Sequence, residues 1–182
     1  MLGCTPVAEV ANDSRLKAIA SSWLDAPALP FKATLFDKNP DSNWLVAWHQ
    51  DTALPMASPV TDAGWGPWSV KDGIHYAHAP TGALERVIAL RLHLDDCGPD
   101  NGPLKVLPGT QDFGVLTDAQ VHEHSRRIES RECCVRAGGV VAMRPLIIHA
   151  SSKSVAAQPR RVLHFEYAAS LEITPGMQLR AA

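Results

Sequence analysis

Closely spaced turn signals, a series of short strand-like runs and a single well-formed amphipathic helix predict a mostly β fold, a sandwich or jelly roll with a few flanking helices. The helix comes first. Leu16, Ile19, Ala20 and Trp23 recur at the spacing of one helical face, with Asn12 or Asp13 available to cap it, which predicts a helix over 14–24. After Pro30 the pattern changes. Residues 31–36 and 44–51 read as strands on either side of a turn-rich stretch holding Asp37, Lys38, Asn39, Pro40 and Asp41. Residues 52–83 are rich in Pro and Gly and carry Trp65, Trp68, His75 and His78; they read as a long irregular loop, and their aromatics suit an ordered lid.

The run 86–95 is apolar enough for a helix, but its alternation decides for a strand. Ile88, Leu90, Leu92 and Leu94 fall on one face, and Arg91, His93 and Asp95 on the other. A tight Gly/Pro turn over 97–103 leads to a short strand at 104–107, and 118–124 suits one helical turn. Residues 133–136, 140–149 and 161–167 complete the strands.

Composition bounds the function. The chain has 182 residues, 46% of them hydrophobic and 20% charged, as expected of one globular domain. A formal charge of −2 makes nucleic acid a poor partner. No apolar run approaches the ~20 residues of a membrane helix, and the first residues do not read as a secretory leader. The four cysteines, Cys4, Cys97, Cys133 and Cys134, form no disulfide framework and no CxxC zinc pair, so a cytoplasmic setting is expected.

The most suggestive motif is Trp48, His49, Gln50, Asp51. In a strand, His49 and Asp51 project from one face and aim an imidazole and a carboxylate at one point. A histidine from another strand would complete a two-histidine, one-carboxylate facial site with open coordination positions, the arrangement of iron(II) oxygenases. Similar triplets at His93/Asp95, His164/Glu166 and His122/Glu123/His124 are read as structural, the last as a solvated helix surface. His149, at the end of an apolar strand, suits either the third ligand or a hydrogen-bonded core residue. Arg160 follows eleven positions later, and a hairpin between the two would bring its guanidinium near His149 to hold a dicarboxylate; Arg161 is its rival.

Segments 35–51, 94–110 and 138–152, with Arg160 onward, resemble the phytanoyl-CoA dioxygenase family in order, spacing and local residues across about residues 31–168. The resemblance implies a double-stranded β-helix (a cupin-like jelly roll) and an Fe(II)- and 2-oxoglutarate-dependent dioxygenase that uses O2 and releases succinate and CO2. It carries over His49, Asp51 and His149 as iron ligands, Arg160 as the grip on 2-oxoglutarate, and Ser151 as a hydroxyl assisting it. Pro108, Gly109, Thr110 and Gln111 stand where many members carry Pro-Gly-Ser-His, a departure that leaves the metal untouched.

Alternation then describes the pocket. If Arg160 points inward, so do Val162, His164 and Glu166; if Arg91 and His93 do the same, the lumen is polar. Such a lumen suits hydroxylation of a small polar or anionic metabolite, with Arg91, His93, Trp65 and Trp68 as candidate substrate contacts. The alternative is that these charges satisfy one another. A non-oxidative lyase, isomerase or hydrolase on the same scaffold is the rival function, distinguished by having no need of Arg160.

Overall fold

A computed structural model describes residues 1–60 and 64–181. The fold is the expected mostly β one, built on two four-stranded sheets of order β1-β11-β6-β9 and β2-β10-β7-β8. Their strands are β1 (Leu29–Lys38), β2 (Val46–His49), β6 (Val87–His93), β7 (Leu104–Val106), β8 (Arg131–Cys133), β9 (Val140–Met143), β10 (His149–Ser151) and β11 (Arg160–Ala168). By internal contacts the chain divides into two compact units, one of Met1–Thr34, Thr52–Leu90 and Phe165–Ala182, the other of Leu35–Asp51 and Arg91–His164.

The first unit opens with two helices. Pro6 starts α1 (Thr5–Ala11), and Asp13 caps α2 (Ser14–Leu24) by accepting from the backbone N–H of Arg15 at 2.9 Å. Leu16 and Ala20 are the buried part of the apolar face of α2, while Trp23 lies half exposed. The hydroxyl of Tyr167, whose side chain is buried, donates to the carbonyl of Ala11 at 2.9 Å. Glu166, expected in the lumen, pairs with Lys32 at 2.7 Å.

The stretch read as an irregular loop, 52–83, is instead largely regular. It holds β3 (Ala53–Met56), β4 (Trp68–Lys71) and β5 (Ile74–His78), paired antiparallel in the order β3-β5-β4, and the short helix α3 (Thr81–Leu84). Strands this short, with Pro55 inside β3 and Gly64, Gly66 and Pro67 just before β4, are below the length at which alternation is legible. Residues 61–63 lie outside the described set. A last antiparallel pair, β12 (Glu172–Thr174) and β13 (Met177–Gln178), closes this unit.

In the second unit, β10 lies between β2 and β7. His149 stands opposite His49 on one side and Val106 on the other. The strand expected over 140–149 is split into β9 and β10, because Pro145 interrupts the ladder it would have to continue. The expected hairpin from His149 to Arg160 is corrected too: β10 and β11 belong to different sheets.

The helix α4 (Asp118–Arg127), a full helix where one turn was expected, packs against β2. Thr117 and Gln120 form a capping box at its start, a local signal that outweighs the helix's polar composition. Its Val121 packs with Leu107 and Ile148 against Trp48, Leu116 and Ile128. Beneath this cluster the buried Thr110 hydroxyl donates to the carbonyl of Leu107 at 2.8 Å and accepts from the N–H of Ile148 at 2.9 Å. Thr110→Val should leave the Ile148 N–H without its acceptor and cost about 1–3 kcal/mol, whereas Thr110→Ser, which keeps the hydroxyl, should cost clearly less; urea unfolding of the two variants checks this.

Candidate metal centre and anion pocket

Four consecutive residues, Trp48 to Asp51, divide three tasks among them. Trp48 packs into the cluster under α4. Gln50 is bolted to the backbone: its Nε2 donates to the carbonyls of Gly114 at 2.9 Å and Leu146 at 2.7 Å, and its Oε1 accepts from Leu116 N–H at 2.8 Å. His49 and Asp51, on the opposite side of the alternation, turn toward His149. The N–H of Asp51 is itself held by the Pro145 carbonyl at 3.0 Å.

The three ligand atoms lie within 4.8 Å of one another. Asp51 Oδ1 is 3.5 Å from Nε2 of His49, and Oδ2 is 3.5 Å from Nε2 of His149. The imidazoles are oriented by backbone. Nδ1 of His49 meets the Ala47 carbonyl at 2.8 Å, and Nδ1 of His149 meets the Ile147 carbonyl at 2.9 Å. A carbonyl only accepts, so each Nδ1 carries the hydrogen, and each neutral ring turns a bare Nε2 lone pair toward Asp51. Three acceptors converging with no donor among them call for a cation, and imidazole plus carboxylate is the donor set for a divalent first-row metal.

Without a metal, a proton does part of this work. The hydrogen bond with Asp51 raises the His49 pKa, against the effect of burial. Burial pulls His149 down to about 4, so it stays neutral. Burial pushes the Asp51 carboxyl up, but the His49 hydrogen bond and the neighbouring imidazoles outweigh it and hold the group below the usual carboxylate range. His149 is buried at 6% side-chain exposure, while His49 and Asp51 are half-buried at 40% and 45%; the site is fixed at its back and more open at its mouth.

A cavity of about 460 Å3, part of it open to solvent, surrounds the triad, and all its lining residues belong to the second unit. Beside the metal site, two cations meet at one hydroxyl. Ser151 Oγ accepts from Lys38 Nζ at 2.7 Å and from Arg160 Nη2 at 3.4 Å, and donates to the Gly102 carbonyl at 2.9 Å. Lys38 also donates to the Ser152 carbonyl at 2.5 Å, and its ammonium lies 5.5 Å from the Trp44 ring centre. Gly102 makes this packing possible: with φ at +66°, a Cβ here would fall 2.4 Å from the Ser152 carbonyl oxygen and 3.2 Å from Lys38 Nζ. Burial, then the charges of Arg160 and Arg91, lowers the Lys38 pKa to about 8.

Lys38 is the site residue that sequence reading missed. It adjoins the turn formers Asn39 and Pro40, yet it stands two positions after the inward Phe36 on β1, one further step of the same alternation. Arg161, the rival of Arg160, lies outside the cavity and grips Asp95 with N–H, Nε and Nη2 at 2.7–2.8 Å. That contact occupies Asp95 and takes the His93/Asp95 triplet out of metal binding. His93 is buried, with neither ring nitrogen hydrogen-bonded, and burial with the charges of Arg91 and Arg160 lowers it to about 4. His93 does not line the cavity, and Arg91 does. Trp65 and Trp68 belong to the first unit and are not among the lining residues.

A jelly roll carrying two histidines and a carboxylate at one end of its paired strands defines a class, the cupin-like non-haem metal proteins. Within that class the chain belongs to the phytanoyl-CoA dioxygenase family (PhyH), which it matches over residues 6–162. It is 29% identical over 180 residues to the L-proline trans-4-hydroxylase of Streptomyces griseoviridis, covering 84% of this chain and 59% of that protein. Among solved structures, AviO1 from Streptomyces viridochromogenes Tue57 superposes with a TM-score of 0.66 at 24% identity, over 97% of this chain and 64% of that one. EctD from S. alaskensis, solved with 2-oxoglutarate and 5-hydroxyectoine, gives 0.67 at 23% identity, over 92% and 54%. The structural likenesses speak for the fold; the chain spans about three-fifths of the curated relative. No helix among the described residues is long and apolar enough to cross a membrane.

Gln50→Ala should release the ligand segment from Gly114, Leu116 and Leu146 and weaken metal binding about tenfold or more, read by Co(II) absorption. In the unaltered chain the proton on His49 competes with the metal. Apparent Co(II) affinity should therefore be higher at pH 8 than at pH 6.

Proposed function

We propose that the chain is an Fe(II)- and 2-oxoglutarate-dependent dioxygenase that hydroxylates an unactivated C–H of a small polar or anionic metabolite. The carrying observation is one cavity lined both by the triad His49, Asp51 and His149 and by the cationic pair Lys38 and Arg160. A non-oxidative metal enzyme has no use for that pair. Family membership and the likeness to a proline hydroxylase support the reading.

In this reading His49, Asp51 and His149 hold the iron on one side and leave its other positions to ligands. Bound iron, with 2-oxoglutarate and O2, supplies the oxidising power, converting R–H, 2-oxoglutarate and O2 into R–OH, succinate and CO2. The protein's part is orientation. Arg160 and Lys38 take the far carboxylate of 2-oxoglutarate, each contributing charge and hydrogen-bond donors. Ser151 accepts from both cations and so holds them at a fixed separation. The walls from Phe36, Trp44, Val46 and Leu104 limit water around the chelate. A cavity lined by Lys38, Arg91 and Arg160 favours a polar or anionic metabolite over a long acyl chain.

Anaerobic addition of Fe(II) and 2-oxoglutarate should produce the weak visible charge-transfer band of a keto acid chelate, absent in His149→Ala; no band in the unaltered chain would overturn the reading. Arg160→Ala should weaken 2-oxoglutarate binding by about 2–5 kcal/mol, because it leaves an anion half paired in a buried site. The pH profile follows from Lys38. Its ammonium form is the one that attracts a carboxylate, and that form is lost as pH rises through about 8. The 2-oxoglutarate Kd should therefore rise between pH 7 and 9 in the unaltered chain and lose that slope in Lys38→Met, as followed by titrating the band.

A further inference from the structure

Arg91 is gripped by neighbours that use only part of its guanidinium. Nη1 donates to Nδ1 of His164 at 3.1 Å, and the guanidinium carbon lies 5.1 Å from the centre of the Phe36 ring. Phe36 in turn meets His164 edge-on, with ring centres 5.7 Å apart, so the three side chains fix one another's planes. Nε of Arg91 is buried and has no hydrogen-bond partner among the described residues. The side chain as a whole is 7% exposed and lines the cavity of the metal triad. A buried guanidinium without an anionic partner is costly, which makes it a strong attractor for one. With Nη1 donating to His164, the edge left over is that of Nε and Nη2, and this edge donates to the two oxygens of a carboxylate side-on.

Charge bookkeeping separates Arg91 from the cosubstrate. Three cationic side chains line the cavity at neutral pH, Lys38, Arg91 and Arg160, against the single carboxylate of Asp51. A divalent metal and a dianionic 2-oxoglutarate cancel each other and leave that excess unchanged. Lys38 and Arg160 converge on Ser151 and so address one carboxylate. Arg91 takes no part in that convergence; its contacts are His164 and Phe36.

Building on the oxygenase reading, we propose that Arg91 anchors a carboxylate of the substrate through Nε and Nη2, with His164 and Phe36 as positioning residues, and that the substrate class is a small carboxylic acid such as a free amino acid. A neutral metabolite would leave the Arg91 charge buried and unmatched.

The test uses the full chain loaded with Zn(II) and N-oxalylglycine, which fills the metal and cosubstrate sites without turnover. Saturation-transfer NMR is run against small molecules, each supplied both as carboxylic acid and as primary amide, with L-proline and L-prolinamide among the pairs. The expected result is binding of acids over their amides by about tenfold or more, lost in Arg91→Gln, while the Fe(II)/2-oxoglutarate band of that variant titrates within about twofold of the unaltered chain. Retention of the band shows that the variant is folded. Should Arg91→Gln fail to fold, Arg91→Lys, which keeps the charge and loses the fork, is expected to weaken the acids about tenfold with the band retained. Equal binding of acids and amides, acid binding that survives in the variants, or no binding by any pair overturns the proposal. A tenfold rise of the 2-oxoglutarate Kd in Arg91→Lys also overturns it, by assigning Arg91 to the cosubstrate. Failure of the oxygenase reading looks different: the unaltered chain then gives no band, and the role of Arg91 falls with it.

Discussion

Two backbone carbonyls, those of Ala47 and Ile147, set the chemistry of this molecule. By accepting from the Nδ1 hydrogens of His49 and His149, they force both rings to offer bare nitrogen to the same carboxylate. The result is a gathering of electron pairs that is unfavourable until a cation joins it. Everything else in the second unit keeps that arrangement from relaxing. The antiparallel register sets the histidines on opposite strands, α4 and its apolar cluster press on the far side of those strands, and Gln50 fastens the ligand segment to two loops.

The neighbouring anion pocket follows the same logic with the signs reversed. Lys38 and Arg160 repel one another, and the repulsion is visible in the lowered Lys38 pKa, of which burial is the larger cause. They tolerate proximity because the Ser151 hydroxyl lies between them and passes its own hydrogen to Gly102. A group of acceptors short of a cation thus stands beside a group of donors short of an anion. A chelating dicarboxylate that bridges a metal and a cationic pair satisfies both at once.

Much of this was legible in the amino-acid sequence, for identifiable reasons. The alternation along 86–95 is long enough for strand identity to be read directly, and the i, i+2 spacing of His49 and Asp51 marks a shared face although β2 has only four residues. The family resemblance linked positions a hundred residues apart, which no local pattern does. Three things escaped. The strands of 52–83 are too short and too rich in proline to carry a period. The break at Pro145 placed His149 at the start of a strand and not at its end, and the expected hairpin to Arg160 dissolved into two different sheets. Lys38 was hidden because turn-forming residues follow it directly, masking the last inward position of β1.

Gly102 touches neither the triad nor the space at the centre of the cavity, yet the lysine ammonium and the Ser152 carbonyl occupy the room its missing side chain leaves. Any larger residue would have to push that ammonium, and with it the electrostatic tilt of the chamber, out of alignment. On the proposed reading, the grip on the cosubstrate is therefore written partly into a remote bend of main chain. Evolution or engineering could retune it there without altering a single group that contacts a ligand.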